Sequence, residues 1–173
     1  YYDTLTQLPN RRLLLDRLEE ALARSQRGQA SKGALLLLDI DNVKSLNETL
    51  GHDHGDALLR LVATRLSSCI AGRHTLARQG GDEFAVLLED LPVDPLEAGR
   101  CTEQVGGANL QALRTPFFLN NQDFHDTLSM GAVVFCGAGD SVEELLKRAD
   151  LALYQAKSVG RDTLQFFDPS VQK

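Results

Sequence analysis

The sequence predicts one α/β domain, an α+β sandwich in which helices flank a mixed, mostly antiparallel sheet. Three observations support this prediction. The length of 173 residues corresponds to about one domain. Segments with helical apolar spacing alternate with short apolar segments along the whole chain. Two pairs of the short segments are separated only by tight turns, as in antiparallel hairpins, so a purely parallel sheet is not expected.

Each predicted helix has an apolar stripe at helical spacing or a recognisable start. The last helix begins at a capping box, Ser141 with Glu144 three residues later, and ends at Gly160. The predicted helices are the segment after Pro9 that carries Leu14, Leu18 and Leu22, residues 53–67, residues 95–113, and the segment from Ser141 to Gly160.

The predicted strands are short apolar segments bounded by turn residues or acids. Residues 34–38 form a continuous apolar run that ends at Asp39, which is typical of a strand buried on both faces. Gly80 and Gly81 supply the positive φ angles of a hairpin turn. Strands are predicted at 34–38, 75–79, 83–88, 117–119, 125–135 and 163–167, with 117–119 and 125–135 paired around Asn120 and Asn121.

Composition excludes several classes of protein. The 24 acidic and 18 basic residues give a net charge of -6, which disfavours a nucleic-acid-binding protein. The three scattered cysteines exclude a disulfide framework and a cysteine zinc site, and favour a cytoplasmic location. No apolar run approaches the roughly 20 residues of a membrane-spanning helix, so no direct membrane contact of the domain is expected.

The chain starts at Tyr1 without an initiator methionine. We therefore expect a module of a longer polypeptide, which could itself be membrane-anchored. Residues 1–168 are expected to form the domain, and residues 169–173 to begin a linker.

Two acid clusters are the first candidate site. Asp39 and Asp41 follow the buried strand, and Asp82 with Glu83 lies at the tip of the glycine hairpin. Carboxylates at the ends of adjacent strands can bind a hard cation such as Mg²⁺. The alternative is that these acids are solvated turn residues.

A second candidate is a purine-recognition pair. Asn47 offers a donor and an acceptor, and Asp56 can accept paired hydrogen bonds from a base edge with N–H donors, as guanine has. The alternative is that Asn47, Asp53 or Asp56 caps a helix.

A third candidate is a phosphate clamp formed by Lys157 and Arg161, which lie about one turn apart at the end of the last helix. Basic residues there also interact favourably with the helix dipole, and that interpretation stays open. The sequence contains no P-loop, the phosphate-binding motif G-x-x-x-x-G-K-[ST].

Together these segments resemble a known family. Gly80-Gly81-Asp82-Glu83-Phe84 is the signature of the GGDEF family, the diguanylate cyclases. The resemblance spans Asp3 to about Asp168. Its other segments are Asp3 to Arg11, Asp39-Ile40-Asp41 with Lys44 and Asn47, Gly51-His52 with Gly55-Asp56, Ser129-Met130-Gly131, and Ala149 to Arg161.

The resemblance implies a fold similar to the polymerase palm and the class III nucleotide cyclases. It implies that two GTP molecules condense to cyclic di-GMP with release of pyrophosphate, in the presence of Mg²⁺ or Mn²⁺. By position, the metal would be bound by Asp39, the Ile40 carbonyl and Asp82.

The resemblance also assigns roles around the substrate. Glu83 would assist at the metal or deprotonate the attacking hydroxyl, and Asp82 and Lys44 would share in catalysis. Guanine would be bound by Asn47 and Asp56, the phosphates by Lys44, Lys157, Arg161 and the backbone at Val43, and Gly80 and Gly81 would let the nucleotide approach the hairpin.

The implied partners are GTP, a second copy of the domain in a transient two-fold dimer, and flanking sensory and phosphodiesterase (EAL) domains. In tandem proteins, the alternative is a catalytically weak GTP-binding module that regulates the phosphodiesterase. Two departures stand out. Ala71 and His74 replace the usual Arg and Asp of an inhibitory product site, so the resemblance gives no support for product inhibition there, and Val43 replaces a common Phe.

Overall fold

The computed structural model describes residues 1–26, 32–43, 48, 51–70, 72, 74–119, 121–136 and 139–168. The helices are α1 (Arg11–Gln26), α2 (His52–Cys69), α3 (Pro95–Arg114) and α4 (Val142–Ser158), and the strands are β1 (Lys32–Ile40), β2 (Thr75–Gly80), β3 (Glu83–Leu91), β4 (Phe117–Leu119), β5 (Gln122–Phe124), β6 (Leu128–Phe135) and β7 (Thr163–Phe166). In these residues no helix combines the length and the apolar character needed to cross a membrane.

A five-stranded sheet forms the centre of the fold, with strand order β2-β3-β1-β6-β7. The central strand β1 pairs antiparallel with both β3 and β6, and β7 pairs parallel with β6. The predicted mixed, mostly antiparallel sheet is therefore confirmed.

The leucine run of β1 divides the core into two layers. Because side chains alternate along a strand, Leu36 and Leu38 pack on one face with α2 and α3. Leu35 and Leu37 pack on the other face with α1 and α4. Both faces are covered, which is why β1 is continuously apolar.

One predicted strand is wrong in its pairing. Phe117–Leu119 pairs with Gln122–Phe124 in a separate two-stranded sheet, whereas β6 begins only at Leu128 and pairs with β1. The break lies at Asp126, whose buried carboxylate accepts the backbone N–H of Thr127. Because this carboxylate also accepts the Asn42 N–H at the end of β1, the chain at Asp126 makes side-chain-to-backbone bonds instead of continuing a strand from β5, and β6 begins only at Leu128.

Helix α4 lies directly on β6. Its start matches the predicted cap, since the Ser141 hydroxyl accepts the Glu144 N–H at 3.1 Å. At Gly131 of β6, an added Cβ would lie 2.1 Å from the backbone nitrogen of Leu153 and 2.5 Å from the carbonyl oxygen of Ala149. No residue with a side chain fits there, so helix and strand approach as closely as backbones permit.

Candidate functional site

The candidate site lies at the end of the sheet where the central strand β1 ends and the β2–β3 hairpin turns. Asp39 stands opposite Glu83 in the antiparallel register, and the Ile40 N–H donates to the Asp82 carbonyl at 3.1 Å. The pairing of β1 with β3 therefore brings the two predicted acid clusters together at Asp39, Asp82 and Glu83.

The Asp39 carboxyl is the most perturbed group of this cluster. Burial raises the pKa of Asp39 above its usual value, the hydrogen bond and charge of Lys157 oppose the rise, and the negative charges of Asp82 and Glu83 add to it. The Lys157 ammonium contacts Oδ2 of Asp39. The other oxygen, Oδ1, is buried and has no hydrogen-bond partner in the described part of the chain.

This donor set fits a hard cation that completes its shell with substrate. Mg²⁺ takes one or two protein carboxylates and fills its remaining positions with water and phosphate oxygens. The buried Oδ1 of Asp39 is an acceptor without a donor, and Asp82 and the Ile40 carbonyl lie next to it along the paired strands. Among the described residues, no group of three or more His, Cys, Asp or Glu side chains is arranged to hold a metal ion, so an ion here would need further oxygen ligands from backbone, water or substrate.

The hairpin turn leaves open space beside the acids. Gly80 and Gly81 have φ angles of 139° and 54°, and a Cβ on either would meet no atom within 4 Å. Arg78 supports the turn because its guanidinium donates to the Gly81 carbonyl at 2.8 Å and 3.1 Å. The same guanidinium donates to Asp3 at 2.9 Å, which ties the turn to the N-terminal segment.

Two cations project from the end of α4 towards the acids. Besides the Lys157 contact with Asp39, Arg161 lies 3.5 Å from Oδ1 of Asp41 with about half of its side chain exposed. The side chains of the predicted phosphate clamp thus contact the acids at the end of β1.

Asp41 differs from its neighbour Asp39. Its side chain is 2% exposed. Oδ1 accepts the Ser129 hydroxyl at 2.7 Å, and Oδ2 accepts the Thr127 hydroxyl and, at 3.3 Å, the Asp162 N–H. Both oxygens are satisfied, so Asp41 joins β1 to the start of β6 and to the turn before β7.

The remaining predicted residues lie in α2, directly after β1, or outside the described residues. Asp56 is exposed in the first turns of α2, whose N-terminal cap at Gly51 makes no side-chain cap hydrogen bond, and Val43 is buried. Lys44 and Asn47 lie outside the described residues, as do Ala71 and residues 169–173.

Two features were missed by sequence reasoning. His74 is half-buried and its Nδ1 accepts the Glu89 N–H at 3.1 Å, while burial lowers its pKa and the charge of Glu89 opposes the fall. Asp126 is buried beside the end of β1. Its position depends on the pairing of β1 with β6, for which the sequence carries no local signal.

Comparisons with known proteins agree with this architecture. The family model described as "Diguanylate cyclase, GGDEF domain" matches residues 1–163. MucR of Pseudomonas aeruginosa, named a bifunctional diguanylate cyclase/cyclic di-GMP phosphodiesterase, is 36% identical over 98% of this chain and 24% of its own length. The diguanylate cyclase DgcP of the same organism is 41% identical over 94% of this chain and 23% of its own length.

A solved structure gives the same result for the fold. The GGDEF domain of TpbB (YfiN) from Pseudomonas aeruginosa superimposes with a TM-score of 0.87 at 31% identity, covering 97% of this chain and 95% of that one. The chain spans about a quarter of the length of the curated relatives described above.

Proposed function

The chain belongs to the GGDEF domain family of diguanylate cyclases, and from this premise we propose that it condenses two molecules of GTP into cyclic di-GMP and two of pyrophosphate. The single observation that carries the proposal is the convergence of Asp39, Asp82 and Glu83 where β1 ends and β3 begins, next to the Gly80-Gly81 turn, with one buried oxygen of Asp39 left without a hydrogen-bond donor among the described residues. Three acids at the end of these strands are not needed to stabilise the sheet, because like charges close together repel one another.

The proposed cofactor is Mg²⁺ or Mn²⁺. Asp39, Asp82 and the Ile40 carbonyl would bind it, and the bound ion would polarise the phosphoryl oxygens and lower the pKa of the attacking hydroxyl. Glu83 is exposed next to Asp82 and would accept the hydroxyl proton or assist the ion.

The cationic end of α4 would bind the triphosphate. Lys157 and Arg161 lie beside the acids, so their charges offset the repulsion between carboxylates and phosphate groups. Lys44 and the Val43 backbone would add phosphate contacts. Asn47 and Asp56 would recognise guanine. The Gly80-Gly81 turn would lie against the nucleotide, since no atom blocks that space.

In the proposed reaction, the 3′-oxygen of one GTP attacks the α-phosphorus of the other. The bond from that phosphorus to the bridging oxygen breaks, pyrophosphate leaves with the electron pair, and the hydroxyl proton passes to Glu83 or water. A second such step closes the ring. Because one domain would bind one GTP, the two nucleotides must meet between two domains, and a transient two-fold homodimer is the simplest arrangement.

A second function has one specific observation in its favour. NbdA of Pseudomonas aeruginosa, named a cyclic di-GMP phosphodiesterase without a cyclase activity in its name, is 38% identical over 96% of this chain and 20% of its own length. In a protein of that kind, this domain would bind GTP with little turnover and regulate an adjacent phosphodiesterase domain. Sensory and phosphodiesterase domains are accordingly proposed as its neighbours in the chain, and the cytoplasmic location stays a prediction.

Product analysis tests both functions. The domain, alone and fused to a dimeric coiled coil, is incubated with GTP and Mg²⁺ and the nucleotides are separated by chromatography. We expect cyclic di-GMP, more of it from the fused dimer, and at least about 100-fold less from Asp82→Ala. Asp123→Ala, which changes an exposed acid of β5 away from the site, is the matched control.

The other outcomes separate the proposals. GTP binding in calorimetry without product from either form would reject the cyclase and support the regulatory module. Absence of GTP binding would reject both.

A further inference from the structure

Asp126 is a buried carboxyl that the proposed chemistry does not use. It lies between β5 and β6 and is 5% exposed. Its Oδ1 accepts two backbone hydrogen bonds, from the N–H of Thr127 at 2.8 Å and from the N–H of Asn42 at 3.0 Å. One carboxylate oxygen therefore joins two segments that are 84 residues apart in the sequence.

The bond to Asn42 acts next to the candidate metal site. Asn42 is the second residue after Ile40, the last residue of β1. The preceding amide, that of Asp41, donates to the Thr127 carbonyl at 3.0 Å. Two consecutive amides after β1 are thus bound to the start of β6, and Asp126 binds the second of them.

The residue after this bond is one of the proposed phosphate contacts. Val43 follows Asn42 directly, is buried, and its backbone is proposed to contact phosphate. The backbone at Asn42 therefore sets the position of the Val43 backbone relative to the end of β1.

The charge of Asp126 is not needed for these bonds. Burial raises the pKa of Asp126 to about 6, the N–H groups of Thr127 and Asn42 oppose the rise, and Asp41 adds to it. An asparagine would present an oxygen acceptor of the same shape without the cost of burying charge. The hydrogen-bonding role can therefore be separated from the ionic one by substitution.

We propose that Asp126 is a positioning residue for nucleotide binding, which fixes the Asn42 backbone through its hydrogen bond and so sets the affinity for GTP rather than the rate of the chemical step. This inference rests on the proposed function. In the described part of the chain, Asp126 bonds to the N–H groups of Asn42 and Thr127 and makes no hydrogen bond to Asp39, Ile40 or Asp82.

The test compares Asp126→Ala and Asp126→Asn with the control Asp123→Ala. Binding of a non-hydrolysable GTP analogue is measured by calorimetry, KM and kcat by product formation, and hydrogen exchange of the Asn42 amide by NMR. We expect Asp126→Ala to weaken analogue binding and raise KM about tenfold, the effect of one to two lost hydrogen bonds, with kcat changed less than about threefold.

Rescue by the conservative variant distinguishes positioning from general destabilisation. Asp126→Asn should restore affinity to within about twofold and keep the Asn42 amide protected, whereas Asp126→Ala should expose that amide to exchange. Asp123→Ala should match the original chain in every measurement.

Three results would overturn the inference. One is unchanged analogue affinity in Asp126→Ala, another is a loss in kcat without a change in KM, and the third is equal loss in the Ala and Asn variants. If the original chain binds no GTP analogue, the proposed function itself is rejected, and that result differs from all three.

Discussion

Asp39 and Asp41 stand two residues apart at the end of the same strand, yet their surroundings are opposite. Both oxygens of Asp41 accept hydrogen bonds from hydroxyl or amide donors, and a guanidinium lies nearby. Asp39 has one oxygen without a donor and two acidic neighbours that raise its pKa after burial has already done so.

The difference follows from what each carboxylate faces. Asp41 lies against the hydroxyls of Thr127 and Ser129 at the start of β6. Asp39 is opposite Glu83, close to the open hairpin turn. The strand end thus contains one acid that stabilises the fold and one whose interactions are incomplete without a ligand, as is common for functional sites.

Removing Asp41, whose two oxygens both accept hydrogen bonds, should have the largest effect on stability. Asp41→Ala leaves the buried Ser129 hydroxyl without its acceptor and Arg161 without its acid. We expect the free energy of unfolding to fall by about 3 kcal/mol, measured by urea denaturation followed by circular dichroism. Asp39→Ala should cost less than about 1 kcal/mol, and equal losses for the two variants would contradict the distinction between them.

Neutralising Asp39, which has one oxygen without a donor, should instead reduce turnover. For Asp39→Asn we expect cyclic di-GMP formation to fall at least about 100-fold, since the variant removes a charge next to the proposed metal. At about neutral pH, the free energy of unfolding of Asp39→Asn should stay within about 1 kcal/mol of the original value. Asp123→Asn is the control with unchanged turnover, and an active Asp39→Asn would remove Asp39 from the metal site.

A third acid, Asp3, extends the comparison to an ion pair that supports the hairpin. Burial alone would raise the pKa of Asp3, but hydrogen bonds from Thr6 and the charge of Arg78 lower it below its usual value. Asp3→Asn should lower the free energy of unfolding by about 1.5 kcal/mol in urea denaturation, because Arg78 loses a charged acceptor.

The matched control is a pair on the surface of α3. Arg100 and Glu97 are 70% and 50% exposed, so Glu97→Gln should change the free energy of unfolding by less than about 0.5 kcal/mol. A larger loss from Glu97→Gln than from Asp3→Asn would contradict the role given to burial.

The smallest effect concerns pH. The pKa of Asp126, about 6 when folded, lies above its ordinary value of 3.8, so the folded protein binds this proton more tightly than the unfolded chain. Asp126→Asn should therefore be more stable than the original chain by about 1 kcal/mol above pH 6. The difference should shrink as the pH falls from about 6 to 4 and vanish below that range.

Urea denaturation at several pH values measures this difference. The charge that faces Asp126 is that of Asp41, which adds to the rise, and Arg161 pairs with Asp41. A stability gain independent of pH would show that the variant acts through packing instead of charge.

Much of the fold could be predicted because it is encoded locally. The leucine run ending at Asp39 predicted β1, the capping box predicted the start of α4, and the glycine pair predicted the hairpin. Asp39, Asp82 and Glu83 could be grouped because acids at strand ends meet once the strands pair. The domain boundary at residue 168 stays a prediction.

What could not be predicted depends on contacts between distant segments. The order of β1 between β3 and β6 has no local signal, so strand 125–135 was paired with the wrong neighbour. For the same reason Asp41 was grouped with Asp39 although it bonds to Ser129, 88 residues away. Asp126 was not identified because its role exists only where β1 and β6 are adjacent.

The missing side chain at Gly131 sets the reach of a distant ammonium group. Because α4 packs directly on the backbone of β6 at this glycine, the helix lies as near to the sheet as two main chains allow, and Lys157, about one turn after Leu153, reaches Asp39. A single methyl group at position 131 would overlap the backbone of Leu153 and force α4 away from the sheet. It would lift the cation from the carboxylate without altering either partner.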